Sequence, residues 1–268
     1  MINLNTDSNA SSMLQQVQQK QESLFEKLAS GKKINGAADG AAAQQIIDRF
    51  TSQVEGDRQS VSNAYDGISL SQVAESGLSG ITKDVGRIRE LSVQAGNGIL
   101  SDADRSAIQA EVTQLQENIS QTIEQTEFAG KPLLSGDSTI DFQVGANAGQ
   151  KIAVATQDIA AGLGDVLDVD LSTAQGAEDA LVAADEAAQF VVAARADLGA
   201  TQNQFESAAR NLTQSNVNVA AARGRIQDTD YALATSQSAA ANILNEANLA
   251  VQAQANQQQG QVLTLLNV

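Results

Sequence analysis

The chain has 268 residues, with 16 Lys and Arg against 32 Asp and Glu and neither Cys nor His. A net charge of −16 and a pI near 4.2 exclude the phosphate-neutralising surface that nucleic acids need and disfavour docking on anionic lipid. Without Cys or His there are no disulfides, no thiolate or imidazole nucleophiles and no usual zinc ligands, so neither catalysis nor a cofactor is expected.

The charge is unevenly placed. Residues 1–41 balance four Lys against four acids, and residues 229–268 hold only Asp230 and Glu246, so the ends sum to −2 and the middle carries −14. Termini are normally solvated and tolerant of charge, so ends stripped of it suit burial against each other and against copies of themselves. Trp is absent and Pro132 is the one proline, which predicts long, uninterrupted helices around a thin core.

A first helix follows an a/d seam of Ala10, Leu14, Val17, Gln21, Leu24 and Leu28 and stops at Gly31. Three glycines between Gly31 and Gly40 read as a connector. A longer helical pattern starts near Ala41 and ends at Gly96-Asn97-Gly98, and Ser101 with Asp104 three residues on supplies a capping-box start for the next. The end of that helix is expected at Gly130-Lys131-Pro132. From about 139 to 156 the apolar period becomes two, with Ile140, Phe142 and Val144 against Ile152 and Val154, which predicts a β-hairpin. Residues 157–176 are acidic and are expected to form a loop with a short strand. Asp165, Asp168 and Asp170 read as a hydrated surface, lacking the Gly turn and distal Glu of a calcium loop. Asp102 and Asp104 read as helix-start anions, not an acid/base pair.

Leu181, Ala184, Ala188, Val191, Arg195, Leu198, Gln202, Phe205, Ala209, Leu212, Asn216 and Val219 then hold one heptad register. The stretch from 177 to 226 is roughly 75 Å of helix at 1.5 Å per residue. A final segment carries Leu233, Ala240, Leu244, Ala247 and Val251 in heptad spacing, with Leu263, Leu265 and Leu266 at its tip. The order predicts a mainly α fold: a long antiparallel helical bundle or coiled coil with a small β-hairpin, its N- and C-terminal helices paired. Three parts follow, 1–41, 42–228 with the hairpin at about 139–156, and 229–268. Leu24 and Leu28 are expected to pack with Leu244 and Val251 in an inner tube formed by assembled copies of the chain. The N-terminus has no basic region followed by an apolar run, so export is expected by a route that reads no cleaved signal peptide.

These residues also carry a resemblance. Leu28-Ala-Ser-Gly-Lys-Lys-Ile-Asn35, Asn63-Ala-Tyr-Asp-Gly-Ile-Ser69, Arg89-Glu-Leu-Ser-Val-Gln-Ala95, Asp197-Leu-Gly-Ala-Thr-Gln-Asn-Gln-Phe205 and Ala221-Ala-Arg-Gly-Arg-Ile-Gln-Asp-Thr-Asp-Tyr-Ala232 resemble the ordered motifs of the bacterial flagellins over roughly 1–155 and 180–268. Lys32-Lys33 stands where the family commonly ends in Arg. Only residues 157–176 occupy the place of the family's large inserted surface domains, so the chain is similar to a minimal flagellin.

The resemblance implies a structural subunit, not an enzyme, of the extracellular filament used for swimming, with a hook–filament junction protein of the same superfamily as the alternative. It implies an inner assembly domain formed by 1–41 and 229–268 and a rod domain at 42–228. The assembly interface expected is Leu14, Val17, Leu24, Leu28, Leu244, Val251, Leu263, Leu265 and Leu266. Implied partners are copies of the chain, filament cap and hook-associated proteins, and a flagellar export chaperone of the type III path. An animal innate flagellin receptor is implied at Arg87, Leu91, Gln94 and Glu111, with Gly86 standing where the family commonly has Gln.

Overall fold

A computed structural model describes the backbone of residues 4–266 and the side chains of 12–258 and 261. Its helices are α1 (Leu4–Ser30), α2 (Ala37–Ala95), α3 (Asp102–Gln125), two single turns α4 (Ile159–Gly162) and α5 (Gly164–Leu167), α6 (Ala174–Gln227) and α7 (Tyr231–Leu266). Two antiparallel strand pairs lie between α3 and α4: β1 (Glu127–Phe128) with β2 (Lys131–Pro132), and β3 (Ser135–Gln143) with β4 (Lys151–Asp158). The fold is mainly α with the long hairpin β3–β4 and the two-residue hairpin β1–β2, and its first and last helices pair. Among the described residues no helix is long and apolar enough to cross a membrane. The chain divides into two compact units, Gln53–Val217 and Met1–Ser52 with Asn218–Val268.

In the unit Gln53–Val217, α2 buries Ala64, Leu70, Ala74, Leu78, Ile81, Val85, Ile88, Leu91 and Ala95 at helical spacing. Ser71 and Ser92 sit in the same stripe, and their hydroxyls donate to the carbonyls of Gly67 and Ile88 four residues back, so burial leaves neither donor unpaired. Facing them, α6 buries Ala177, Ala180, Ala184, Ala187, Val191, Ala194, Phe205 and Ala209. Most of these are alanines, so the face that α6 turns to the core is made of small side chains. Ion pairs fix the register: Arg89 to Asp185 at 2.6 Å, and Arg195 to Glu75 at 2.7 Å. The hairpin pairs Ile140 with Val154 and Phe142 with Ile152. Its Gln143 carbonyl accepts from Asn63 Nδ2 at 2.9 Å, which holds it to α2.

The cap of α3 forms as its spacing predicts. Ser101 Oγ accepts from the Asp104 N–H at 3.3 Å, and Asp104 Oδ2 accepts from the Ser101 N–H at 3.0 Å. Two features depart from the sequence reading. The helix ends at Gln125, where Thr126 turns extended, and not at Gly130. The segment after the hairpin is not simply a loop: it makes two helical turns, and Ile159, Leu163, Val166 and Leu171 are buried. Gln109 and Gln116 of α3 satisfy its backbone, Gln109 Oε1 accepting from the Leu171 N–H at 2.7 Å and Gln116 Nε2 donating to the Val166 carbonyl at 3.2 Å. Asp165, Asp168 and Asp170 lie between these positions and are exposed.

In the unit Met1–Ser52 with Asn218–Val268, α1 ends where Gly31 adopts φ +69°, a left-handed conformation that costs a residue with a Cβ. The two connectors then run antiparallel. The Lys33 N–H donates to the Gln227 carbonyl at 2.6 Å, and the Thr229 N–H donates to the Gly31 carbonyl at 2.9 Å. Asp39 Oδ2 accepts from the N–H groups of Asn35 and Gly36 at 2.8 and 3.3 Å. Gly40 interrupts helical geometry within α2, so the continuous helix begins at Ala41.

Candidate assembly surface

The seam between α1 and α7 starts from residue size. On α1 the half-buried or buried positions are Leu14, Val17, Gln21, Ser23, Leu24, Lys27 and Leu28, with Leu24 6% exposed. The a/d spacing predicts this face; the side chain of Ala10 lies outside the described residues. On α7 the positions turned to α1 are Ala234, Ser238, Ala241, Asn245, Asn248, Gln252 and Ala255, again in steps of four and three. Gln21 ties the pair, its Nε2 donating to Asn242 Oδ1 at 2.5 Å and its Oε1 accepting from Asn245 Nδ2 at 3.3 Å. Tyr231 Oη donates to the Leu28 carbonyl at 3.1 Å. These contacts use neutral groups, so burying them carries none of the desolvation cost of charge.

The larger apolar stripe on α7 faces away. Leu244 is 54% and Val251 65% exposed, and Leu233, Ala240 and Ala247 of the same heptad track are exposed as well. Leu24 and Leu28 therefore do not pack on Leu244 and Val251 within the chain. The physical reason is that α1 already presents Leu and Val, and the smaller residues opposite let the two backbones come together. Ile243, Leu249, Phe25 and Met13 add further exposed apolar surface to this unit. Leu263, Leu265 and Leu266 fall among side chains outside the described residues. Residues 233–251 thus present an apolar stripe, and Asp230 and Glu246 are the two charged residues in the sequence of 229–268.

The second predicted patch is brought together in part. Arg87 donates through Nε and Nη2 to Glu111 Oε1 at 2.9 and 2.7 Å and through Nη1 to Glu90 Oε2 at 3.0 Å. The hydrogen bond to Glu111 is the main cause of an upward shift in the Arg87 pKa. Gln94 is exposed nearby in sequence, but Leu91 is 1% exposed and belongs to the core. Leu91 lies three and four residues from buried Ile88 and Ala95 and takes their inward face, with Arg87 and Gln94 at the exposed edge of that stripe, so a partner reaching this surface meets no Leu91 side chain.

Sequence reasoning missed Arg105. Its side chain is nearly buried, and its guanidinium donates to the carbonyls of Ala95, Leu100 and Asn97 at 3.1, 3.0 and 3.3 Å. A lone Arg in an apolar stripe, four residues after a cap serine, was the available signal. Among the described residues no group of three acids could hold a metal ion.

The N-terminal helical region of bacterial flagellin matches residues 2–139, and its C-terminal helical region matches 181–266. The flagellin of Bacillus subtilis (strain 168) is 39% identical over 90% of this chain and 91% of its own. The crystal structure of Bacillus cereus flagellin superposes with a TM-score of 0.53 at 26% identity, covering 60% of this chain and 94% of that one. A putative flagellar hook-associated protein from Vibrio parahaemolyticus reaches a TM-score of 0.63 at 16% identity, over 71% of this chain and all of that one, which shows a shared fold alone. Motif order, helix pairing and family match agree: the chain belongs to the bacterial flagellin family and is a structural subunit of the flagellar filament.

Proposed function

We propose that copies of the chain join through the stripe that α7 turns away from α1, with 1–41 and 229–268 forming the inner assembly domain and 42–228 the rod domain. One observation carries this reading: Leu244 and Val251 are mostly exposed on a nearly uncharged helix whose other face is already occupied by α1. Exposed apolar stripes of this length mark interaction surfaces. Leu14, Val17, Leu24 and Leu28 serve it by holding α1 on α7, and Leu263, Leu265 and Leu266 extend it by sequence.

The same reading covers the remaining partners. Filament cap and hook-associated proteins meet the two ends of the same lattice, and an export chaperone shields the apolar α7 stripe before the chain is secreted to the extracellular filament. An innate flagellin receptor would use the Arg87–Glu111 pair with Gln94.

The test is elongation of filament seeds by purified protein carrying Leu244→Ala with Val251→Ala. Elongation is expected to fail while monomer unfolding is unchanged, because neither side chain is buried within the chain. Leu91→Ala is the opposite control and should lower monomer stability by about 2–5 kcal/mol. Elongation by the double variant at the wild-type rate would rule the stripe out as the interface.

A further inference from the structure

The turn between α2 and α3 presents Ile99 at 90% exposure, more than any other large apolar side chain described. It is also held rigidly. The Ile99 N–H donates to Asn97 Oδ1 at 3.2 Å, the Leu100 N–H donates to the Asn97 carbonyl at 3.1 Å, and the Arg105 guanidinium donates to the carbonyls of Ala95, Asn97 and Leu100. A buried arginine spent on three turn carbonyls fixes in advance the position of a side chain left almost wholly to solvent. Such rigidity lowers the ordering cost of binding. Val93 on the last turns of α2 is also exposed, and residues 91–101 carry no charged side chain.

The same unit contains a matching hollow. A cavity of about 310 Å³ lies between α2, α6 and the hairpin, with Leu70, Leu78, Leu134 and Leu198 in its walls and exposed Ala155 and Ala200 at its rim. Asp197 is the one charged residue lining it. It is about twice the ~150 Å³ that holds a benzene-sized guest, room enough for an isoleucine side chain and a neighbouring aliphatic group. Ile99 cannot fill the cavity of its own chain, since α2 runs about 25 Å from Leu78 in the cavity wall to its end at Ala95, and Ile99 lies four residues beyond that end.

We propose that Ile99 of one copy seats in the Leu70–Leu198 cavity of the next, a contact that rests on the chain's being a self-assembling filament subunit. Charge decides for a second copy as the occupant. Subunits of net charge −16 repel wherever charged faces meet, so they approach where charge is thinnest: residues 91–101 carry none before Asp102 and Asp104 begin α3, and the cavity has a single acid. A knob on one surface and a hole on a different one is a heterologous contact. Such contacts leave a free knob and a free hole after every addition, so they build open-ended helical polymers.

The absence of cysteine makes the test direct. Ile99→Cys subunits are mixed with Ala155→Cys or with Ala200→Cys subunits, elongated from wild-type seeds and oxidised. Disulfide-linked dimers are expected in at least one mixed filament and in no filament of a single variant. Ile99→Asp should raise the critical concentration for elongation by about tenfold or more, since an apolar burial is replaced by a desolvated charge, with the monomer unfolding midpoint unchanged. Filaments that form from both mixtures without any dimer, or an Ile99→Asp protein that elongates as wild type, would overturn the contact and leave the filament role intact. Wild-type protein that fails to elongate seeds would instead overturn the filament role and this contact with it.

Discussion

The ring of Phe205 lies on the bare Cα of Gly67: a Cβ built at Gly67 would fall 2.6 Å from Phe205 Cε1 and closer still to Cζ. Phe205 is fully buried and meets Phe142 of the hairpin edge to face, with centroids 5.4 Å apart and planes at 87°. Two motifs 138 residues apart, Asn63–Ser69 and Asp197–Phe205, thus carry the two halves of one packing contact, and the hairpin closes it.

Gly67→Ala should therefore destabilise the monomer although alanine is the better helix former. The propensity gain is about 1 kcal/mol, whereas forcing a methyl into a filled site costs about 1–3 kcal/mol and displaces a ring that also supports the hairpin. A net loss of stability, read as a lower urea midpoint at unchanged slope, is the expected result. A raised midpoint would show that the ring moves aside freely.

Arg105→Met keeps the aliphatic stem and removes the donors. The carbonyls of Ala95, Asn97 and Leu100 then lose a shared partner, at a cost of about 1–3 kcal/mol. The Asp102 ion pair adds little because that carboxylate is fully exposed at 3.6 Å. Amide exchange at 96–101 should speed up more than exchange in the middle of α3. Uniform acceleration along both helices would point to a global effect and contradict the clamp.

Acid should release two caps in a defined direction. Asp104 has its pKa lowered below the ordinary 3.8, first by the hydrogen bond from the Ser101 hydroxyl and then by the Ser101 N–H. Asp39 is lowered too, chiefly by the Asn35 N–H. A folded-state pKa below the unfolded value means the stabilisation is fully present above 3.8 and is lost as pH falls through the lowered value. Carboxyl chemical shifts should place both midpoints below 3.8, and Asp104→Asn should remove the acid-side contribution at α3. Midpoints at or above 3.8 would contradict the caps.

Much of this was legible in the chain because helical periodicity reports burial directly. The Leu14–Leu28 seam of α1, the Leu181–Val219 register of α6 and the Ser101–Asp104 cap all lie where the spacing puts them. Periodicity does not say which of two stripes meets which neighbour. On α7 both stripes repeat by heptads, and the inner one is made of Ala, Ser, Asn and Gln, so ranking by apolar size selects the outward Leu244–Val251 track. Leu91 turns into the core although the motif groups it with exposed Arg87 and Gln94, since a motif names residues without saying which face they take. Arg105 and the Gly67–Phe205 contact depend on partners ten and 138 residues away, which no local pattern encodes. The 159–171 segment hides its core role because its buried residues alternate with exposed acids.

The pairing of α1 with α7 joins residues as far apart as Gln21 and Asn245, 224 positions along the chain. Closing so long a loop from a flexible chain costs about 5 kcal/mol in the logarithmic term alone. That cost shrinks once Gln53–Val217 has folded, because Asn216 Nδ2 then donates to the Val54 carbonyl at 2.8 Å and Ser215 Oγ to Asp57 Oδ2 at 3.1 Å, which pairs the first residues of that unit with its last. The expected order is that residues 53–217 close first and the terminal pair zips last, so amide protection during refolding should reach 53–217 before it reaches α1 and α7.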